Sequence, residues 1–141
     1  MKPAEPTSVV AAGAAARLAD WLLDGPVQCR DGAEQGAVAG SVEPGGRITY
    51  VYGEVTGYYL AWLASRRGPD RSCEMLHARA ASQWIQKRYA GPDLPPTRVY
   101  LGPDPGDWRN RAQFCFDLAM LVGGLARASE RGLIEPPREV T

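Results

Sequence analysis

The sequence has few residues of the kinds that build metal and redox sites. It contains three cysteines and one histidine among 141 residues. Cys29, Cys73 and Cys115 are far apart and form no CxxC pair, which argues against a disulfide framework or a zinc site. A single imidazole, that of His77, cannot supply a multi-histidine metal centre within one chain. We therefore expect neither a metal nor a cofactor.

The chain also lacks an excess of charge of either sign. Sixteen lysines and arginines balance sixteen aspartates and glutamates. A neutral chain gives no electrostatic reason to expect nucleic acid or an anionic membrane as a partner. No apolar run approaches the roughly 18 residues that a membrane span needs. The N-terminal segment carries Arg17 and Asp20 on a helical period, unlike a signal peptide. These features predict a cytoplasmic protein.

Glycine and proline are plentiful, with 16 and 12 residues, and they divide the chain into segments. Between these breaks, apolar residues recur at three- and four-residue steps, which predicts four helices. They cover about 8–23, 54–66, 72–89 and 107–131. The glycine-rich stretch 27–46 and the proline-rich stretch 90–107 are predicted to be loops, and 47–51 a short extended piece. The expected fold class is therefore all-α, with antiparallel α-hairpins and long Gly/Pro-rich loops.

The two halves of the chain share a spacing. Trp21 precedes Glu54 by 33 residues, and Trp84 precedes Asp117 by the same interval. An apolar helix follows each acid, so we interpret the halves as two copies of one α-hairpin unit. The units would be about 8–67 and 72–131 of a single domain, 1–141. Hairpin repeats bury their faces by stacking, usually three or more together, so we expect a homo-oligomer or a partner protein that completes a helical ring.

The stretch YVYGEVTGYYLAWL resembles a Tyr-Pro-Glu-Val/Ile-Thr-Gly-Tyr segment of (α/α) toroid enzymes that act on carbohydrates, near uronate C5-epimerases and unsaturated-uronyl hydrolases. The shared positions are Tyr52, Glu54, Val55, Thr56, Gly57 and Tyr58. FCFDLAMLVGGLARA resembles the Phe-Asp-Thr-Gly pattern of a following hairpin. The chain departs from these patterns at Gly53, where the family has proline, and at Leu118 and Ala119, where it has Thr-Gly. The resemblance implies an incomplete (α/α) toroid of about two hairpins and a carbohydrate ligand.

Glu54 and Asp117 are the candidate catalytic residues. A carboxylate in apolar surroundings can act as a general acid, and a pair of carboxylates carries out glycoside hydrolysis. Both acids also suit structural roles. Glu54 could stabilise the first turn of a helix, and Asp117 could pair with Arg109, Asn110 or Arg111.

Candidate substrate-binding residues come from the aromatic side chains around Glu54 and from the segment DPGDWRNR. Aromatic rings stack on sugar rings, while tyrosine hydroxyls reach sugar hydroxyls. Arg109 could clamp a substrate carboxylate, or it could lie in water beside Asp107 as the cap of the last helix. The full set is Tyr50, Tyr52, Tyr58, Tyr59, Trp62, Trp108 and Arg109.

Two functions of different classes follow from these features. The first is a carbohydrate-binding or carbohydrate-active fragment that works on a uronate-containing glycan by acid/base chemistry. The alternative is a non-catalytic helical interaction module that completes its fold with a partner or a second copy. The expected partners are a glycan and another protein chain, with no nucleic acid and no membrane. Whether the protein is an enzyme stays open at this stage.

Overall fold

The fold is mixed α/β, and the expected all-α class is wrong. The computed structural model describes residues 6–136, with side chains from residue 10 onward. These residues form four α-helices, a 3-10 helix and a three-stranded antiparallel sheet. The helices are α1 (Pro6–Asp24), α2 (Gly53–Ser65), α3 (Ser72–Arg88) and α4 (Cys115–Glu130), with the 3-10 helix η1 at Trp108–Arg111. The strands are β1 (Ala39–Val42), β2 (Ile48–Tyr52) and β3 (Arg98–Tyr100).

The sheet overturns the expectation of an incomplete (α/α) toroid, because two segments assigned to loops contain strands. β1 lies in the glycine-rich stretch, β3 lies in the proline-rich stretch, and β2 coincides with the predicted extended piece. The strand order is β1-β2-β3, and the buried Val51 pairs with Ala39 on one side and Val99 on the other. Strands of three to five residues show too few alternations to be recognised among turn-forming residues.

The predicted helices agree with the observed ones to within about two residues, except for α4. Its predicted start at about 107 is wrong because Asp107 caps η1 instead, accepting a hydrogen bond from the Arg109 amide at 3.0 Å. An extended segment separates η1 from α4, which begins at Cys115. Asp117 therefore lies in the first turn of its helix rather than in the middle. No helix within the described residues is long and apolar enough to cross a membrane.

The loop between α1 and β1 is held on α3 by side-chain hydrogen bonds. The buried Gln28 donates through Nε2 to the carbonyl oxygens of Gly36 and His77, at 2.9 and 3.0 Å. Its Oε1 accepts from Nδ1 of His77 at 2.6 Å. Glu34 accepts from the indole of Trp84 at 2.7 Å. These bonds satisfy polar groups that the fold buries and give the glycine-rich loop one conformation.

The closest helix pair is α2 and α4, whose backbones touch at two glycines. A Cβ atom on Gly57 would lie 2.3 Å from the carbonyl oxygen of Met120, and one on Gly124 would lie 2.3 Å from that of Gly57. A Cβ on Gly53, one turn earlier in α2, would meet Leu121 at 3.1 Å. The spacing of small residues on α2 thus allows the two helices to approach more closely than larger side chains would.

Substituting Gly57 with alanine should destabilise the protein by about 1–3 kcal/mol, since the new methyl group can fit only if the helices separate. Gly123→Ala is the matched control. Gly123 lies in the interior of a helix, α4, as Gly57 does in α2, but a Cβ added at Gly123 would meet no atom within 4 Å. The control should gain about 0.5–1 kcal/mol from helix propensity. Urea unfolding of the two variants measures both free energies. Equal effects of the two substitutions would contradict the close contact.

Candidate functional site

The two predicted catalytic carboxylates lie in one cluster, although they are separated by two helices and a strand in sequence. Glu54 occupies the first turn of α2, and Asp117 the first turn of α4. Thr97 bonds both to Asp117 and to the amide of Gly53, the residue before Glu54, and both carboxylates contribute to raising the pKa of Tyr52 and of Tyr58. We call the group Tyr52, Glu54, Tyr58 and Asp117 the carboxylate cluster. It forms where the starts of two helices meet the end of β2.

Asp117 is the buried member of the cluster, with 3% of its surface exposed. It accepts a hydrogen bond from the hydroxyl of the fully buried Thr97 at 2.7 Å. The carbonyl oxygen of Thr97 accepts from the amide of Gly53 at 2.7 Å, so this one residue joins the starts of α4 and α2. Asp117 belongs to none of the ion pairs among the described residues, and the expected pairing with Arg109 or Arg111 is not seen.

Tyr52 has the most strongly perturbed environment in the cluster. Burial raises its pKa to about 12; the carboxylates of Glu54 and Asp117 add to the rise, and Arg98 opposes it. The guanidinium of Arg98 lies 4.7 Å from the centroid of the Tyr52 ring. Arg98 takes part in no salt bridge within residues 10–136. The phenol of Tyr52 therefore keeps its proton at neutral pH and can donate a hydrogen bond.

Tyr50 lies on the same face of the sheet as Tyr52, since side chains two apart on a strand point the same way. Its ring stacks on Tyr100 of β3, with ring centroids 5.1 Å apart. A Cβ on Gly40 would lie 2.1 Å from the Tyr50 ring, so the ring covers this glycine of β1. Tyr50 and Tyr100 thus form a stacked aromatic pair next to Tyr52, whose ring centroid lies 6.4 Å from that of Tyr50.

The remaining predicted aromatic residues of α2 line a different surface. Tyr58, Tyr59 and Trp62 face an apolar groove of about 300 Å³, whose other walls are β1 and Trp21 of α1. Tyr59 is buried and donates its hydroxyl to the carbonyl oxygen of Leu22 at 3.0 Å, so that hydroxyl is occupied. Tyr58 remains 48% exposed. It lies at the boundary between this apolar groove and the carboxylate cluster.

Trp108 and Arg109 lie on η1, which packs beside β3. Trp108 is 71% exposed and tilts against Phe114, with ring centroids 6.2 Å apart. The guanidinium of Arg109 is paired with Asp107 and holds the pKa of that carboxyl at about 2. Arg109 is therefore committed to an ion pair, whereas Arg98, which lies over the Tyr52 ring, belongs to no ion pair within residues 10–136.

Sequence reasoning missed Thr97, Arg98 and Tyr100 as parts of this region. Side chains in the segment TRVY alternate in direction. Those of Thr97 and Val99 point to the core, and those of Arg98 and Tyr100 lie on the outer face of the sheet. That alternation is the signal that could have identified a strand. It is only four residues long and stands between prolines and glycines, which favour a loop.

The cluster suits hydrogen bonding to a polar ligand. It offers the partly exposed carboxylate of Glu54, the phenol hydroxyls of Tyr52 and Tyr58, and the ring of Tyr58 within one small region. Within residues 10–136, no group of three or more His, Cys, Asp and Glu side chains is placed to hold a metal ion. A scan against models of known protein families, a search of curated proteins and a search of solved structures found no match to this chain.

Replacing Glu54 with glutamine should lower the pKa of Tyr52 below its value of about 12, because hydrogen bonding to the Glu54 carboxylate contributes to the rise and a neutral amide favours the protonated phenol less. Glu130→Gln, at the exposed end of α4, should leave that pKa unchanged. NMR titration of tyrosines labelled at Cζ measures the pKa directly. Since the folded pKa lies above the ordinary value of 10, Tyr52 lowers stability only as the pH rises above about 10. An unchanged pKa in the Glu54 variant would remove Glu54 from the cluster.

Proposed function

We propose that the protein binds a carbohydrate at the carboxylate cluster and does so in the cytoplasm. The observation that carries the proposal is the junction at Thr97, whose hydrogen bonds to Asp117 and to the amide of Gly53 bring the starts of α4 and α2 together beside Tyr52. Sugars present hydroxyl groups that both donate and accept, and carboxylates and phenols are matched to them. The half-exposed ring of Tyr58 offers an apolar surface for the CH groups of a sugar ring. Three free cysteines agree with a reducing compartment.

Arg98 decides which sugars the cluster accepts. The two carboxylates favour a neutral ligand, because they would repel a negatively charged one. Arg98 is the residue able to bind the carboxylate of a uronate there, since its guanidinium lies on the Tyr52 ring and belongs to no ion pair within residues 10–136. A uronate-containing glycan is therefore compatible with the proposal when its carboxylate points toward Arg98 and its hydroxyls toward Glu54.

Acid/base chemistry, if the bound sugar reacts, belongs to Glu54. This carboxylate is only partly buried and can meet a ligand, whereas Asp117 is nearly enclosed and bonded to Thr97. A general acid or base must lie within hydrogen-bond reach of the proton it transfers. The proposal thus assigns sugar contact and any proton transfer to Glu54, and the positioning of Tyr52 to Asp117.

Glu54→Gln should weaken sugar binding by about tenfold or more, because a hydrogen bond to a charged acceptor contributes about 1.5–3 kcal/mol. The substitution keeps the shape of the side chain, so the melting temperature should change little. Isothermal titration with a panel of neutral and uronic methyl glycosides measures the affinities, and NMR shifts locate the bound sugar.

Glu130→Gln is the matched control, since Glu130 is exposed at the far end of α4. It should bind each sugar as the unmodified protein does. A panel in which no sugar perturbs the resonances of Tyr52 and Tyr58 would contradict the proposal. So would equal affinities of the Glu54 and Glu130 variants.

A second function, interaction with another protein chain, is favoured by one observation on α1. Val10 and Leu18 of this helix are 72% and 60% exposed, although they belong to its apolar stripe. Exposed apolar stripes on helices are typical of interaction surfaces. We propose that a second copy packs on this stripe.

Leu18→Glu should convert a self-associated form to the monomer, because the charge would be buried between the copies. Val122→Glu, an exposed apolar residue of α4 at 66% exposure, is the control and should not change the association. Sedimentation velocity over a range of concentrations measures the masses. A protein that stays monomeric at every concentration would contradict pairing through α1.

A further inference from the structure

The apolar groove begins at the carboxylate cluster, at Tyr58, but its walls are apolar, whereas the cluster is polar and charged. Trp21 of α1, Val42 of β1 and Val55 and Trp62 of α2 line its walls. A volume of about 300 Å³ is at the lower end of the range for small-molecule sites. The lining is predominantly apolar, so a sugar ring placed inside would lose the hydrogen bonds of its hydroxyls to water without replacing them.

Tyr58 connects the groove to the cluster. Its ring lines the groove. Burial raises the pKa of its hydroxyl, and the carboxylate of Glu54 raises that pKa further. Trp21 and Tyr58 are 46% and 48% exposed, so both rings are accessible to a ligand. When the sugar of a ligand lies against Glu54, the group attached to that sugar therefore lies at the entrance of the groove.

We infer that the ligand is an amphiphilic glycoside, a sugar joined to a short alkyl or aryl group. The inference rests on the proposed sugar site and specifies what the sugar is attached to. The sugar binds the carboxylate cluster, and the apolar group fills the groove between Trp21, Val55 and Trp62. Binding removes the apolar surface of this group from water, and it also covers the apolar side chains that line the groove. Burial of both surfaces stabilises the complex.

Titration calorimetry with matched pairs of glycosides tests this assignment. The probes are the methyl and n-hexyl glycosides of glucose, galactose and glucuronic acid, all below their micelle concentrations, with n-hexanol alone as a further probe. For the sugar that binds, the hexyl glycoside should bind at least about tenfold more tightly than the methyl glycoside, since burial of two or more methylenes suffices.

Trp21→Ala should abolish most of that difference and leave the affinity for the methyl glycoside unchanged. Leu76→Ala is the matched control, because Leu76 is an exposed apolar residue of α3 that does not line the groove. Ser41→Phe provides a second variant that fills the groove from an exposed position on β1. It should weaken binding of the hexyl glycoside to the level of the methyl glycoside.

The outcomes separate this inference from the proposed function. Equal affinities for hexyl and methyl glycosides would overturn the inference and leave the sugar site standing. Hexyl glycosides that bind only as tightly as n-hexanol, with no effect of Glu54→Gln, would overturn both. An absence of binding by every glycoside would also overturn both. A hexyl preference that survives Trp21→Ala and Ser41→Phe would place the apolar group elsewhere and overturn the inference alone.

Discussion

The backbone contact between α2 and α4 is the constraint on which the rest of the structure depends. Gly57 and Gly124 have no side chains, so the helices approach until the carbonyl oxygens of Met120 and Gly57 occupy the space a Cβ would need. Both acids lie within one turn of this contact: Glu54 precedes Gly57 by three residues, and Asp117 precedes Met120 by the same number. Larger residues at the crossing would separate the two carboxylates along with the helices.

Some residues of the segment Tyr52–Tyr58 stabilise the fold, and others are accessible to a ligand. Thr56 is fully buried; its hydroxyl donates to the Tyr52 carbonyl oxygen at 2.9 Å and accepts from the Val38 amide at 3.1 Å. Gly57 permits the helix crossing. Glu54 and Tyr58 lie on the other side of α2, one turn apart, where a ligand can reach them. Two of the residues on which the predicted resemblance to carbohydrate-active enzymes rests, Thr56 and Gly57, are therefore explained by the packing of α2 alone.

Helices α2 and α3 could be predicted from the sequence because their apolar residues follow a helical period over three or more turns. The strands could not, since β1 and β3 contain four and three residues and stand among glycines and prolines. Missing these strands led to an all-α assignment and concealed the position of Arg98, whose guanidinium lies over the Tyr52 ring. The sequence paired Glu54 with Asp117 through a repeated spacing. In the structure, the two hydrogen bonds of Thr97 join the starts of the helices that carry these acids.

The two carboxylates occupy unlike environments, and this difference determines what each can do. Asp117 is nearly enclosed in the first turn of α4, where its carboxyl accepts a hydrogen bond from the Thr97 hydroxyl. Such a group is held in place and meets no ligand directly. Glu54 is more exposed and can exchange one hydrogen-bond partner for another. Asp117 and Glu54 both disfavour ionisation of Tyr52, which keeps a proton on its hydroxyl at neutral pH. The cluster therefore combines a protonated donor, Tyr52, with an accessible acceptor, Glu54, as a ligand rich in hydroxyl groups requires.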